Sequence, residues 1–344
     1  MRSSTVCVLS LRSLAHETIK NLVLAGIGRL IVMDNGVVTE EDLGGGFLFR
    51  EEEGAVGQER TAAALPQIAS LNPLVSLTAI PTLAPFVRDA GEANAAGAQE
   101  DITEFLRKEK VDVVVACDLT IAEMTNIDAA TRAAGCKFYA AGTYGFYGYV
   151  FADLGEQYQF VHQDPVSVTN PEPPVTKRSL SYPALSVALQ REKWSIAQDV
   201  QNPSGSPYRG STRSATRLVA PPTTIGILGV WEFQKQNGRL PGQPDDHDAF
   251  AKIVYELRES LGVNAKSFKD STGEDLYETA IDHLSAHAIH FFPPTLAILG
   301  GFLAQDVLRA LSQKDTPIAN LLVVDTMGGT GTASRWAMNP AVEA

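Results

Sequence analysis

The residues that could do chemistry lie at the ends of the β-branched runs. Asp34 directly follows Leu30–Met33. In a Rossmann-like unit an acid at that point hydrogen-bonds ribose hydroxyls, although an aspartate also suits a turn there. Cys117-Asp118 closes the apolar run Val111–Ala116. An acid at the carboxyl end of a parallel strand can hold a metal or a phosphate-bound cation; it can equally cap a helix beginning near Thr120. His283, His287 and His290 are spaced i, i+4 and i+7 and would share one helix face, as a metal site does. Their run ends in Phe291-Phe292-Pro293-Pro294 and histidines suit helix C-termini, so no metal is expected there, and chelation should change nothing.

The loop that would serve these acids is the anomaly. Val6 to Asp34 reads as strand, loop, helix and strand. A βαβ unit that binds a dinucleotide or ATP opens its helix with G-x-G-x-x-G, because glycine lets backbone N–H groups approach the phosphates. Here Leu11, Arg12, Ser13, Leu14, Ala15 and His16 occupy that place, and none is glycine. Two other glycine runs are weaker candidates. Gly44-Gly45-Gly46 follows no strand and precedes no Lys-Ser/Thr pair, so it reads as a flexible connector. Thr326 to Gly331 follows the strand Asn320–Asp325 but precedes no helix, so it reads as a hairpin turn.

The elements that position these residues follow from periodicity. Val6–Leu11, Leu30–Met33 and Val111–Ala116 are candidate buried parallel strands, Val75–Ile80 alternates like a strand, and another strand starts at Cys136. Helices are expected between the first two strands, from about Gly57 to Leu71, and over 102–110, 121–134, 223–237, 248–261, 276–291 and 294–311. The last is apolar nearly all round, so it should be central and buried, with Gly300-Gly301 permitting close packing. Residues 89–101 read as a surface insertion. Residues 162–183 are proline-rich and extended, a short helix near Trp194 follows, and 199–217 reads as a mobile loop. The organisation is therefore a Rossmann-like half over 1–161, a crossover with a loop over 162–222, and a part over 223–336 that completes the same domain.

With 344 residues and 44% apolar content the chain can bury a substantial core. Cys7, Cys117 and Cys136 are far apart, which indicates neither a disulfide framework nor a zinc site and suggests a reducing compartment. Cys136 reads as a buried small hydrophobe. A net charge of −12 argues against non-specific nucleic-acid binding. Apolar runs are expected to fall short of the ~20 residues of a membrane span, so neither nucleic acid nor membrane is an expected partner.

Several further segments carry a family resemblance. Lys20-Asn21-Leu22-Val23-Leu24-Ala25-Gly26-Ile27-Gly28, Val38-Thr39-Glu40-Glu41-Asp42-Leu43, Val56-Gly57-Gln58-Glu59-Arg60 and Ser70-Leu71-Asn72-Pro73 come first; Tyr144-Gly145-Phe146-Tyr147-Gly148-Tyr149 and Gly300-Gly301-Phe302-Leu303-Ala304-Gln305-Asp306 follow. This ordered set, within about residues 2–336, resembles the activating enzymes of ubiquitin-like proteins, and within them the smaller, adenylation-inactive subunits of SUMO-activating heterodimers. The resemblance implies an α/β fold with a Rossmann-like, mostly parallel sheet and flanking helices, serving as a pseudo-adenylation domain. It also implies a nuclear heterodimer whose catalytic subunit holds ATP and magnesium, adenylates SUMO and carries the thioester cysteine.

For this chain the resemblance implies no active site and no cofactor of its own. Asp34, Arg60 and Asp118 stand where active members hold ribose, phosphate and magnesium, as vestigial positions beside the degenerate loop. Arg60 stands in place of a lysine, and the two are not interchangeable on phosphate. No cysteine follows Cys136 to serve the thioester step. In this family the inactive subunit can lend an arginine from a segment before the first strand. Met1-Arg2 stand almost on that strand, so either a truncated sequence or an absent arginine contribution is expected. Two alternatives are the inactive subunit of a NEDD8-activating enzyme, against which the short 199–217 loop speaks, and a free-standing adenylating enzyme or NAD oxidoreductase, which would need an intact glycine loop.

Overall fold

A computed structural model describes residues 1–343 except 88–94, 165, 167–170, 264–267, 269–272 and 274. The first half runs β1 (Thr5–Leu9), α1 (Ser13–Leu24), β2 (Arg29–Met33), α2 (Glu40–Gly45), α3 (Arg60–Leu71), β3 (Ser76–Ile80), α4 (Ala95–Glu109), β4 (Val113–Cys117), α5 (Ile121–Ala134), β5 (Lys137–Tyr144) and β6 (Tyr147–Asp153). Then come β7 (Tyr158–Gln163), β8 (Val175–Leu180), the short helices α6 (Leu185–Ala188) and α7 (Arg213–Arg217), α8 (Pro221–Asn237), α9 (Asp246–Ser260), α10 (Leu276–His287) and α11 (Pro293–Ser312). The chain closes with β9 (Leu321–Asp325), β10 (Thr330–Ser334) and β11 (Val342–Glu343).

Eight strands form one sheet in the order β10-β9-β6-β5-β4-β1-β2-β3. The pairs from β3 through β5 are parallel, and β6, β9 and β10 add on antiparallel. The fold is thus α/β, with a mostly parallel, Rossmann-like sheet between helices. β1 and β4 are buried along their whole length, which is why they read as continuous apolar runs rather than alternating ones. Side chains still alternate between faces. Cys7, Leu9 and Ile31 join one core cluster with residues of α5, α8, α9 and α10, while Val6, Val8 and Leu30 join a second with residues of α1, α3 and α11.

Several expectations shift at their edges. β9 and β10 return beside β6, so the C-terminal part shares the sheet of the first half. The 162–183 stretch is not simply extended, because it supplies most of a hairpin, β7 with β8, which β11 extends to a three-stranded sheet. The expected 89–101 insertion falls partly outside the described residues, and from Ala95 it is already α4. Residues 199–217 were expected to be mobile, but Ser206 and Tyr208 are buried within them, and the Ser206 hydroxyl donates to the Leu261 carbonyl at 2.6 Å. The glycines of α8 are packing glycines: a Cβ at Gly226 would lie 2.6 Å from Leu284 of α10, and one at Gly229 2.9 Å from Val254 of α9.

α11 differs most from its expected state. With 20 residues it reaches the length and apolarity of a membrane span, against the expectation of shorter runs, and half of it is buried inside the fold. One side packs on α1, where a Cβ at Gly300 would stand 2.5 Å from the Cβ of Glu17. The other side leaves Ile298 and Phe302 each 44% exposed, and Gly301 faces open space. An apolar sequence fixed the helix but not how many neighbours cover it.

One buried cluster ties the crossover to the sheet. Asp128 of α5 accepts the Leu185 N–H at 2.6 Å, and Asp153 at the end of β6 accepts from Arg132 at 2.6 and 2.8 Å. Arg132 also donates to the Tyr182 carbonyl. Burial, and next the negative charge of Asp153, raise the pKa of Asp128 above the ordinary carboxylate range. A raised folded-state pKa means that folding takes up a proton, so stability falls as pH climbs from the ordinary aspartate range to the raised value. Asp128→Asn keeps an acceptor for Leu185 and stays neutral. Thermal unfolding measured from pH 4 to 9 should show the variant gaining on the parent as pH rises; a constant difference across that range refutes the raised Asp128 pKa.

Candidate functional site

The strand order reverses between β1 and β4, and ligands of open parallel sheets bind in the crevice outside the carboxyl ends of such strands. Asp34, the degenerate loop and Asp118 all end there, as their place in sequence predicts. Their contacts, however, are made with one another and with the fold.

Asp34 is 3% exposed. Its Oδ2 accepts the Leu11 N–H and its Oδ1 accepts the Gly36 N–H, both at 2.6 Å. The carboxylate therefore clamps the loop after β1 to the turn after β2. Arg60 does come to Asp34, with Nη1 at 3.7 Å from Oδ1, but it is held more tightly by Asp42, whose Oδ2 accepts from Nη2 at 2.9 Å. Asp42 was not anticipated as part of this group, although Thr39-x-x-Asp42 is a readable capping box at the start of α2. Burial would raise the Asp42 pKa, but the Thr39 N–H and the Arg60 guanidinium outweigh it and hold the carboxyl below its ordinary value. Arg60 is thus a bidentate structural partner.

The loop itself is sealed. Leu11, Leu14, Ala15 and His16 are all completely buried. His16 stacks edge-on against Phe49 with ring centroids 4.5 Å apart and against Phe47 at 5.9 Å, and its Nδ1 faces the Leu48 N–H at 3.4 Å. Burial lowers its pKa to about 4, so it stays neutral. Gly44-Gly45-Gly46 is not a loose connector: α2 runs through Gly45, and the backbone then lies against the loop. A Cβ at Gly45 would be 2.4 Å from Ser13 Oγ and 3.1 Å from Phe291 Cβ, and one at Gly46 would be 2.3 Å from His16 Nδ1. The chain's own backbone fills the space above the start of α1.

Asp118 stands apart from Asp34 and Arg60. It bends the chain from β4 to α5 with φ of 54°, a left-handed value that aspartate tolerates. The cap of α5 is not Asp118 but Thr120, in a capping box with Glu123. Asp118 Oδ1 accepts the Thr143 N–H at 3.2 Å, while its Oδ2, Arg12 Nε and Thr143 Oγ1 are buried without a partner among the described residues. Burial raises the Asp118 pKa to about 6, against the opposing charge of Arg12. Arg12 in turn lies over the Phe291 ring, 4.8 Å from its centre. The cavity these residues line, with Gln234 and Tyr144, has a volume of about 40 Å³. That holds a water, not a nucleotide, whose pockets run to roughly 300 Å³ and more. Gln234 and Phe291 are brought here by tertiary packing and carry no sequence signal.

The remaining candidates do not join this crevice. Of the three histidines, only His283 and His287 lie on α10; the helix stops at His287 and His290 follows in the turn. Their rings sit 6.0 Å apart in succession, and His283 packs edge-on to Phe146. No group of three or more potential ligands among the described residues is arranged to hold a metal. Cys7 and Cys117 are buried, and burial pushes both thiols up. Cys136, half-buried and donating to the Val111 carbonyl, is pushed up to about 11, chiefly by burial. None is a poised thiolate. Thr326 to Gly329 is the turn between antiparallel β9 and β10, as its sequence predicts.

Residues 1–342 match the ThiF family. The chain belongs to the ThiF family. Among characterised proteins this ThiF member is similar to SUMO-activating enzyme subunit 1 of Rattus norvegicus, with 26% identity over 339 residues that cover 96% of this chain and 87% of that protein. The same-named proteins of Homo sapiens and Danio rerio are 26% and 24% identical, each over 96% of this chain and 88% of theirs.

The glycine packing yields a direct test. Gly45→Ala places a methyl group where Ser13 and Phe291 already stand, so the backbone of this ThiF chain must move. Overpacking of this kind costs roughly 1–3 kcal/mol. Urea unfolding should show that loss, and a variant as stable as the parent would mean that α2 does not seal the loop.

Proposed function

We propose that this chain is the non-catalytic, regulatory subunit of a SUMO-activating heterodimer. It supports the partner subunit's ATP-dependent adenylation of SUMO and the thioester step that follows. The observation that carries the reading is the glycine-free loop at the start of α1, covered by Gly45, Gly46 and Phe291, in a chain similar along 96% of its length to SUMO-activating enzyme subunit 1. A helix N-terminus whose approach is taken by the chain's own backbone has no room for phosphates. Asp34 and Arg60, which could serve ribose and phosphate, are spent on each other and on Asp42.

On this reading ATP and magnesium belong to the catalytic partner, SUMO is the shared substrate, and the nucleus is where the heterodimer works. The contribution of this chain is then a folded scaffold that completes its partner. The test is co-expression with the candidate catalytic subunit. The pair should form an ATP-dependent, thiol-sensitive SUMO thioester on the partner, and the isolated chain should give no heat on titration with ATP and magnesium. A pair that forms no thioester, or tight ATP binding by this chain alone, overturns the proposal.

A further inference from the structure

A second and larger cavity lies on the face of the sheet that carries α5 and α8. It is a groove of about 590 Å³ between the first turns of α5, the segment from Ser186 to Trp194, and α8. Its apolar walls include Ile121, Leu189, Trp194, Leu228 and Trp231. Both the volume and the lining, apolar with a few polar groups, are those of a small-molecule site.

The polar groups are unequal in a way that selects a ligand. Arg191 is neutralised, since it pairs with Glu232 at 2.9 Å and lies over the Trp194 ring at 5.8 Å. That pair also spends Glu232, the one carboxylate among the described lining residues. Lys235 remains, exposed and without an ion pair among the described residues. Thr120, Ile121 and Ala122 bring the N-terminus of the 14-residue helix α5 to the same groove. Glu123 satisfies the Thr120 N–H, but the N–H groups of Ile121 and Ala122 open the helix with no intrahelical acceptor. A third donor is unanswered: Trp194 is 1% exposed and its indole N–H has no acceptor among the described residues. Gln234 Oε1, a buried acceptor in the same lining, is also unpartnered among the described residues, but lone cation, helix N-terminus and orphaned indole together call for negative charge or oxygen beside an apolar body.

We infer that this groove binds a small monocarboxylate with an apolar chain or ring, its body against the two indoles and Leu228 and its carboxylate toward Lys235 and the start of α5. The inference does not depend on the proposed subunit role, because none of these residues belongs to the sealed crevice except Gln234, which lines both cavities.

The probe is decanoate, with 1-decanol as the neutral ligand of equal length, titrated into the full chain and followed by calorimetry and tryptophan emission. Two of the three tryptophans line the groove, so emission reports occupancy. Decanoate should bind saturably and at least about fivefold more tightly than decanol. Lys235→Gln should weaken decanoate about fivefold while leaving decanol unchanged. Thr125→Trp, which fills the groove from α5, should abolish binding of both without lowering the melting temperature. Failure of decanoate to saturate, equal affinity for decanol, no effect of Lys235→Gln, or decanoate binding retained in a folded Thr125→Trp overturns the inference.

Discussion

A helix that follows a parallel strand offers several backbone N–H groups to the crevice beside the sheet, and something must satisfy or cover them. In a nucleotide-binding protein the phosphates do so, and glycines keep the space open. Here the chain covers them itself. Leu11 donates its N–H to Asp34, and the end of α2 presses its glycine backbone onto Ser13 and His16. The usual logic of glycine is moved rather than lost. The loop that would meet a ligand has none, and the segment that replaces the ligand has three.

Much else depends on that contact. Asp42, inside α2, fixes the Thr39 cap and Arg60 at once, so the helix that closes the loop is anchored to the start of α3. Arg60 lies so close over Gly36 that a Cβ there would meet its guanidinium at 2.6 Å. His16 is buried between Phe47 and Phe49 from the same returning segment. Its neutrality follows from burial, which outweighs the Leu11 backbone acceptor and the Asp42 charge that favour the imidazolium. Asp34, Arg60 and His16 are thus each held by contacts within the fold, and each is explained by folding alone.

The strands were legible in the sequence because parallel strands buried on both faces are written as unbroken apolar runs. Most of the longer helices were legible from their period, but α4 starts at Ala95 rather than near residue 102, and the short α2, without room for a period, was not expected. The filled loop was also legible, since it needs only six consecutive residues. What sequence could not show was which distant segment fills the space. Gly44 to Gly46 looks like a linker because a triple glycine has no period, and its meaning resides in Ser13, His16 and Phe291, far away along the chain. Asp118 shows the same limit: its place at a strand end was clear, but its separation from the Asp34 and Arg60 pair is a matter of three dimensions. α11 errs in the opposite direction, because apolarity all round a helix predicts burial all round, and Ile298 and Phe302 remain exposed.

The crevice has not become a hydrocarbon core, and that constrains how it works as structure. Asp118, Arg12 and Thr143 keep buried polar atoms with no partner among the described residues around a cavity of about 40 Å³. Apolar replacement would have removed their desolvation cost; their retention requires a compensating interaction. One is the attraction of the Arg12 guanidinium for Asp118, which opposes the rise that burial forces on the carboxyl. Another is stacking of that guanidinium on Phe291. The space left is that of a single water with several polar neighbours, the usual way a small polar cavity is satisfied. The switch point therefore combines charged side chains with a cavity of water size.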